Sequence, residues 1–203
     1  MVHAAVISNQ IVGLDDYFQS NPQVAYTFLP VDGRTDHDFL PYDLLVVPNG
    51  TDQIAVARLR PRIDEFLAAG KTVFCFDGWF TDWVPGNQWV MDNTKKTIDI
   101  RYAVKTDRRG LFDGLPVEDF TFMHGISGWW ACGYIQPAPA ADVVLEDTWG
   151  RAIVVLDETS TNGKLFLTAS APLGDSSYAL TDDEALYASL SKLYRRAVER
   201  LVG

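Results

Sequence analysis

Cys75 lies in the apolar run Thr72-Val73-Phe74-Cys75-Phe76-Asp77. A catalytic thiol needs a base or a positive local field to become a thiolate. His124, in Phe122-Met123-His124-Gly125, is the candidate base, with Asp77 or Asp119 as the orienting carboxylate. That trio describes a Cys-dependent hydrolase or amidase. The same thiol also suits a buried apolar position, because unpaired cysteine is among the residues most often found in cores. Cys132, in Trp130-Ala131-Cys132-Gly133, takes the same buried reading. His3 and His37 are expected to face solvent or bond locally. Neighbours such as Asp36, His37 and Asp38 rarely converge on one ion, so no metal site is expected. Two cysteines are too few for a disulfide framework or a paired CxxC site.

A second group of residues points to binding. Asn49-Gly50-Thr51 and Asp77-Gly78-Trp79 each follow an apolar run, and ligands of open α/β sheets bind beyond the carboxyl ends of strands. Asp77 is placed to accept hydrogen bonds from a ligand hydroxyl or to cap the next segment. Of six tryptophans, Trp79, Trp83 and Trp89 form one cluster and Trp129 and Trp130 a second, directly after His124. Aromatic faces with a polar edge suit sugar rings, a satellite core that orders a long loop, or a partner subunit. There is no GxGxxG and no GxxxxGK[ST], so no nucleotide cofactor is expected. No carboxylate pair is marked out by spacing, and a glycosidase is not proposed.

These residues must be held by a scaffold. Val2–Ser8, Val24–Pro30, Asp43–Pro48 and Thr72–Asp77 read as strands, the last two apolar enough to be buried on both faces. A helix is expected between them, with Pro61 in its first turn, Ile63, Phe66 and Leu67 on one face and Gly70 as the stop. That makes a parallel βαβ unit. The stretch 79–96, with three tryptophans and a Pro-Gly pair, reads as a loop or insertion. Short β-rich runs follow at 97–105, 128–135, 142–147, 151–158 and 164–169. The last element is a helix opened by a Thr181/Glu184 capping box. Leu186, Leu190, Leu193, Ala197 and Leu201 stripe one face, and Arg195, Arg196 and Arg200 sit near the end favoured for positive charge.

Four segments, in order, resemble the class I glutamine amidotransferase-like superfamily, particularly its ThuA-like and other non-amidotransferase branches. They are Tyr42-Asp43-Leu44-Leu45-Val46-Val47-Pro48-Asn49-Gly50, the helix end and strand Ala69 to Gly78, Leu111-Phe112-Asp113-Gly114-Leu115-Pro116, and Gly163 to Pro172. The resemblance implies a single α/β domain over 1–203: a flavodoxin-like, mostly parallel sheet flanked by helices, with an added antiparallel β-rich portion. It also locates departures. The Gly-x-Cys-x-Gly elbow of true amidotransferases, aligned on Gly78, puts Phe76 at the nucleophile and Cys75 one residue early, on the opposite strand face. Ala171-Pro172-Leu173 stands where His-Pro-Glu is expected. The resemblance thus implies the fold and argues against glutaminase activity.

With 17 basic and 27 acidic residues the chain carries a formal charge of −10, which disfavours nucleic-acid phosphates. No apolar run approaches the ~18 residues that span a bilayer. Met1 to Gln10 lacks a charged signal-peptide start, and a cytoplasmic location is expected. The leading expectation is a non-catalytic amidotransferase-like domain without cofactor. It binds a small polar molecule, a sugar included, around Asn49, Gly50, Asp77, Gly78, Trp79, His124, Trp129 and Trp130. The alternatives are the Cys75/His124 hydrolase and a homo-oligomeric assembly domain with tryptophans at the subunit interface.

Overall fold

Apolar runs with no polar alternation require cover on both faces, and the strands they form lie at the centre of the sheet. In the computed structural model, residues 1–10, 12–32, 34, 36–121, 128–129, 131–176 and 184–202 are described. The first four strands are β1 (Val2–Ser8), β2 (Val24–Pro30), β3 (Leu44–Val47) and β4 (Thr72–Phe76). All of β3 and all of β4 are buried. The last strand of the chain, β10 (Lys164–Thr168), joins β4 in parallel, Leu165 opposite Val73 and Thr168 opposite Phe76. The parallel half therefore runs β2-β1-β3-β4-β10. This is the flavodoxin-like order, with the direction of winding reversing beside β1.

Beyond β10 the sheet turns antiparallel through β9 (Ala152–Asp157), β7 (Gly133–Gln136) and β5 (Gln88–Met91). A branch of β8 (Asp142–Asp147) and β6 (Tyr102–Val104) leaves β9. Ten strands thus form one mixed α/β sheet. Three sequence expectations need correction. The stretch 79–96 is not all loop, because Gln88–Met91 pairs with β7 and ends the sheet. The run 97–105 is a 3-10 turn at Thr97–Asp99 followed by only three strand residues. Within 128–135 the strand begins at Gly133.

Among the described residues four helices flank the sheet: α1 (Leu14–Tyr17), α2 (Gln53–Arg58), α3 (Arg60–Ala68) and α4 (Glu184–Leu201). The β3–β4 crossover is two helices rather than one. Asp52 starts α2 by accepting from the Ile54 and Ala55 amides, and α3 carries Pro61 in its first turn. Residues 181–183, with the Thr181 cap, lie outside the described residues. The stripe of α4 is buried as its spacing requires, Leu193, Ala197 and Leu201 completely. Its arginines do more than complement a helix dipole. Arg195 pairs with the buried Asp175 at 2.5 Å, Arg196 donates to the Leu111 carbonyl at 2.8 Å, and Arg200 donates to the Arg109 and Gly110 carbonyls. Aromatic rings knit α4 to the sheet, with Tyr194 standing edge-on to Phe74 at 5.9 Å and to Phe76 at 6.3 Å.

The Trp-rich stretch is fastened at both ends. Thr81 donates to the Gln53 carbonyl at 3.0 Å and the Trp83 indole donates to Gln53 Oε1 at 2.9 Å. Farther on, the Asn87 amide donates to Asp157 at 2.7 Å and its oxygen accepts from the Ala138 amide at 2.9 Å. Side-chain bonds of this kind let an irregular segment satisfy its polar groups while its rings join the core.

Candidate functional site

The parallel strands deliver their loops to one edge of the sheet, and the backbone there is unusual at two places. Among the described residues, Gln10 and Asp77 are the non-glycine residues with left-handed φ, 64° and 47°. Gln10 follows β1 and Asp77 ends β4. Aspartate tolerates this conformation better than most residues, yet it still costs on the order of 1 kcal/mol. The Asp77 amide donates to the Thr168 carbonyl at 2.8 Å, so the turn leaves the sheet directly beside β10. Gly78, also left-handed at φ 67°, completes the turn. The chain then runs into loop rather than helix, so no helix N-terminus supports the carboxyl.

Asp77 is half-buried, and its Oδ1 is buried without a hydrogen-bond partner. Burial pushes its pKa up from 3.8 to about 6, and the Trp89 indole and the Gly78 amide pull partly back. The Trp89 N–H faces the carboxyl without completing a hydrogen bond to it. The indole nitrogens of Trp79, Trp89 and Trp129 are likewise buried and unpartnered. Buried polar groups of this kind are rare in folded proteins. Two of these indoles, Trp79 and Trp89, lie close to Asp77, two residues along the chain and across the turn from it.

Cys75 is completely buried, on the face opposite Phe74 and Phe76. Burial, with the Asp77 carboxylate adding to it, pushes the thiol well above its ordinary range. A nucleophile needs the reverse. Phe76, which the sequence alignment puts at the elbow, is a fully buried strand residue, and the left-handed turn falls on Asp77. Cys132 departs from its buried reading as well. It is exposed, just before β7, and the Asp77 carboxylate helps raise its pKa. The Ala131–Ser170 bridge explains this proximity, since it holds Ala131, next to Cys132, beside the chain that leaves β10.

His124 and Trp130 lie outside the described residues. Trp129 is 2% exposed, packs edge-on against Phe120 at 5.7 Å, and its carbonyl accepts from the Tyr102 hydroxyl. Trp79 and Trp89 line a cleft of about 460 Å3 together with Phe80, Asp82 and Asn87. Asn49 and Gly50 belong to a different cleft, of about 310 Å3, between α1 and Pro172. The structure therefore groups Asp77, Gly78, Trp79, Trp89 and Cys132, packs Trp129 against Phe120, and sets Asn49 and Gly50 apart. Trp89 and Cys132 were missed by sequence reasoning as site residues. For Asp77 the signal was present, an Asp-Gly pair directly after an apolar run.

Elsewhere the chemistry is structural. His37 bonds the Pro30 carbonyl at 2.7 Å, and Asp36 is taken by Arg62 at 2.8 Å. Arg151 is held by Asp147 and Asp92 and stacks between the Trp149 and Tyr134 rings. Among the described residues no three His, Cys, Asp or Glu side chains converge to hold a metal ion, and no helix is long and apolar enough to cross a membrane.

No protein-family model and no curated protein matches the chain. Solved structures do. A cytoplasmic protein of Salmonella typhimurium LT2 superposes with TM-score 0.65 at 10% identity, over 100% of both chains. A ThuA-like protein of Parabacteroides merdae gives 0.57 at 14% identity, over 98% of this chain and 90% of that one. A glutamine amidotransferase of Thermotoga maritima gives 0.57 at 11% identity, over 84% and 75%. At these identities the likeness is one of fold: the chain has the amidotransferase-like, ThuA-like α/β architecture.

Proposed function

We propose that this is a non-catalytic amidotransferase-like domain that binds a small polar ligand, a carbohydrate included, at the carboxyl edge of its sheet. One observation carries the reading: the elbow-like turn after β4 presents Asp77, a carboxyl with an unpartnered oxygen, beside tryptophans whose N–H groups also lack partners. A bound molecule with hydroxyl groups satisfies both kinds of atom, because a hydroxyl donates and accepts. The elbow thus offers a hydrogen-bond acceptor where an amidotransferase offers a thiol. Ala171 and Leu173, at the places of the superfamily's His and Glu, supply no base to restore hydrolysis.

The hydrolase alternative rests on Cys75, and a fully buried thiol with its pKa driven upward gives it no support. Nor does the interface alternative gain from the described tryptophans of the two clusters, since Trp79, Trp83, Trp89 and Trp129 are 0–6% exposed within the chain itself. A cytoplasmic location is part of the proposal and fits the absence of a membrane-length apolar helix among the described residues.

Thermal-shift screening of neutral mono- and disaccharides and polar metabolites tests the reading. We expect at least one compound to raise Tm in the wild type, with the shift reduced in Asp77→Ala and in Trp79→Phe. A shift that both variants retain in full would place the ligand elsewhere.

A further inference from the structure

The orphaned atoms at the β4 edge constrain the charge of what binds there, an argument that rests on the binding reading above. Asp77 presents an acceptor, its unpartnered Oδ1, and among the described residues no lysine, arginine or histidine contributes to its electrostatic surroundings. The cleft lined by Trp79 and Trp89, of which Asp77 is not itself a lining residue, adds a second carboxylate, Asp82. Arg60 stands at its rim, its Nη1 donating to the Asp82 carbonyl at 2.6 Å and lying 3.6 Å from a carboxylate whose side chain is 95% exposed. Around these carboxylates stand aromatic rings, with Phe80 edge-on to Trp89 at 5.0 Å. Trp79 and Trp89 line the same cleft and carry buried indole N–H groups that lack acceptors.

Four ligand chemistries can be compared with this set. An anion satisfies the indoles but meets the Asp77 carboxylate in a chain of formal charge −10. A simple ammonium pairs with Asp77 and gains from the aromatic faces, yet leaves the indole N–H groups without acceptors. A neutral diol serves both sides but forgoes the stronger, charge-assisted hydrogen bond to the carboxylate. An ammonium with a neighbouring hydroxyl serves the carboxylate and an indole N–H together. We propose that Asp77 is the specificity-determining residue of this site and that its ligand is an amino alcohol, amino sugars included. The protonated amine donates to Asp77 Oδ1, and a neighbouring hydroxyl oxygen accepts from the Trp79 or Trp89 indole.

The test compares three sugars of one skeleton, glucosamine, glucose and N-acetylglucosamine, by tryptophan-fluorescence titration of the full chain at pH 7. Glucosamine is expected to bind at least tenfold tighter than the other two. In Asp77→Asn, which keeps the size and the left-handed tolerance of aspartate, that preference should fall below twofold. Trp79→Phe keeps a ring and removes the N–H, and should weaken glucosamine and glucose by similar factors. Circular dichroism of each variant separates these effects from loss of fold. Glucose binding as tightly as glucosamine would overturn the amine assignment and leave the binding reading standing. A glucosamine preference that survives Asp77→Asn would also overturn it. If none of the three binds, neither the amine assignment nor a sugar site at this edge survives.

Discussion

Two turns end neighbouring parallel strands at the same edge of the sheet, and they solve the problem differently. After β3 the left-handed position is given to Gly50, and the Pro48 and Gly50 carbonyls accept hydrogen bonds from nearby side chains, while Asn9 Oδ1 is buried without a partner. Thr51 donates to the Pro48 carbonyl at 2.6 Å, and Asn9 reaches across from β1 to the Gly50 carbonyl at 3.0 Å. After β4 the left-handed position falls to Asp77, whose buried oxygen has no partner. The first turn puts a glycine at the strained position and leaves only a neutral amide oxygen, on Asn9, without a partner. The second carries backbone strain and desolvation without local return, and such features gather at sites that contact something else.

The largest expected effect comes from removing the charge at the second turn. The rise of the Asp77 pKa from 3.8 to about 6 sets an upper bound of about 3 kcal/mol on what its ionisation costs the fold. Partial exposure reduces this to about 1–2 kcal/mol. The native state holds its proton more tightly than the unfolded chain does. The cost is therefore fully present above about pH 6, shrinks as pH falls, and is absent below about 3.8. Asp77→Asn should accordingly be more stable than wild type in urea unfolding at pH 7.5, with the gain gone at pH 3.5. A gain that ignores pH would detach it from the carboxyl.

At the first turn the sign reverses. Gly50→Val forces a β-branched residue into φ 75° and should cost about 1–2 kcal/mol at every pH. The two cysteines give a smaller contrast. Cys75→Ala empties a fully buried position and should cost on the order of 1 kcal/mol. Cys132→Ala, at an exposed position, should stay within about 0.5 kcal/mol of wild type. Equal costs for the two would mean that the Cys132 segment packs more tightly than the structure shows.

The two halves of the sheet were unequally readable from sequence. Leu44–Val47 and Thr72–Phe76 announce themselves because burial on both faces leaves an unbroken apolar run. Gln88–Met91 does not, since one buried residue among four, inside a Trp-rich stretch, makes no periodic signal. Its place in the sheet depends on a partner, Gly133–Gln136, that is distant in the chain. The same limit applies to the site. An Asp-Gly pair after a strand marks a turn, but the missing partner of Asp77 and the approach of Trp89 and Cys132 are set by contacts with residues distant in the chain. Cys75 could be read as a core residue from its neighbours alone, because every residue of its strand is buried.

The most direct test of the account is the titration of the Asp77 side-chain carboxyl by 13C NMR, assigned by its loss in Asp77→Asn. A midpoint near 6 is predicted for the protein without ligand, as expected of a desolvated carboxyl that no side chain pairs with. A midpoint at or below the ordinary 3.8 would show that the carboxylate already has a partner. The contrast between the two turns, and the site built on it, would then be wrong.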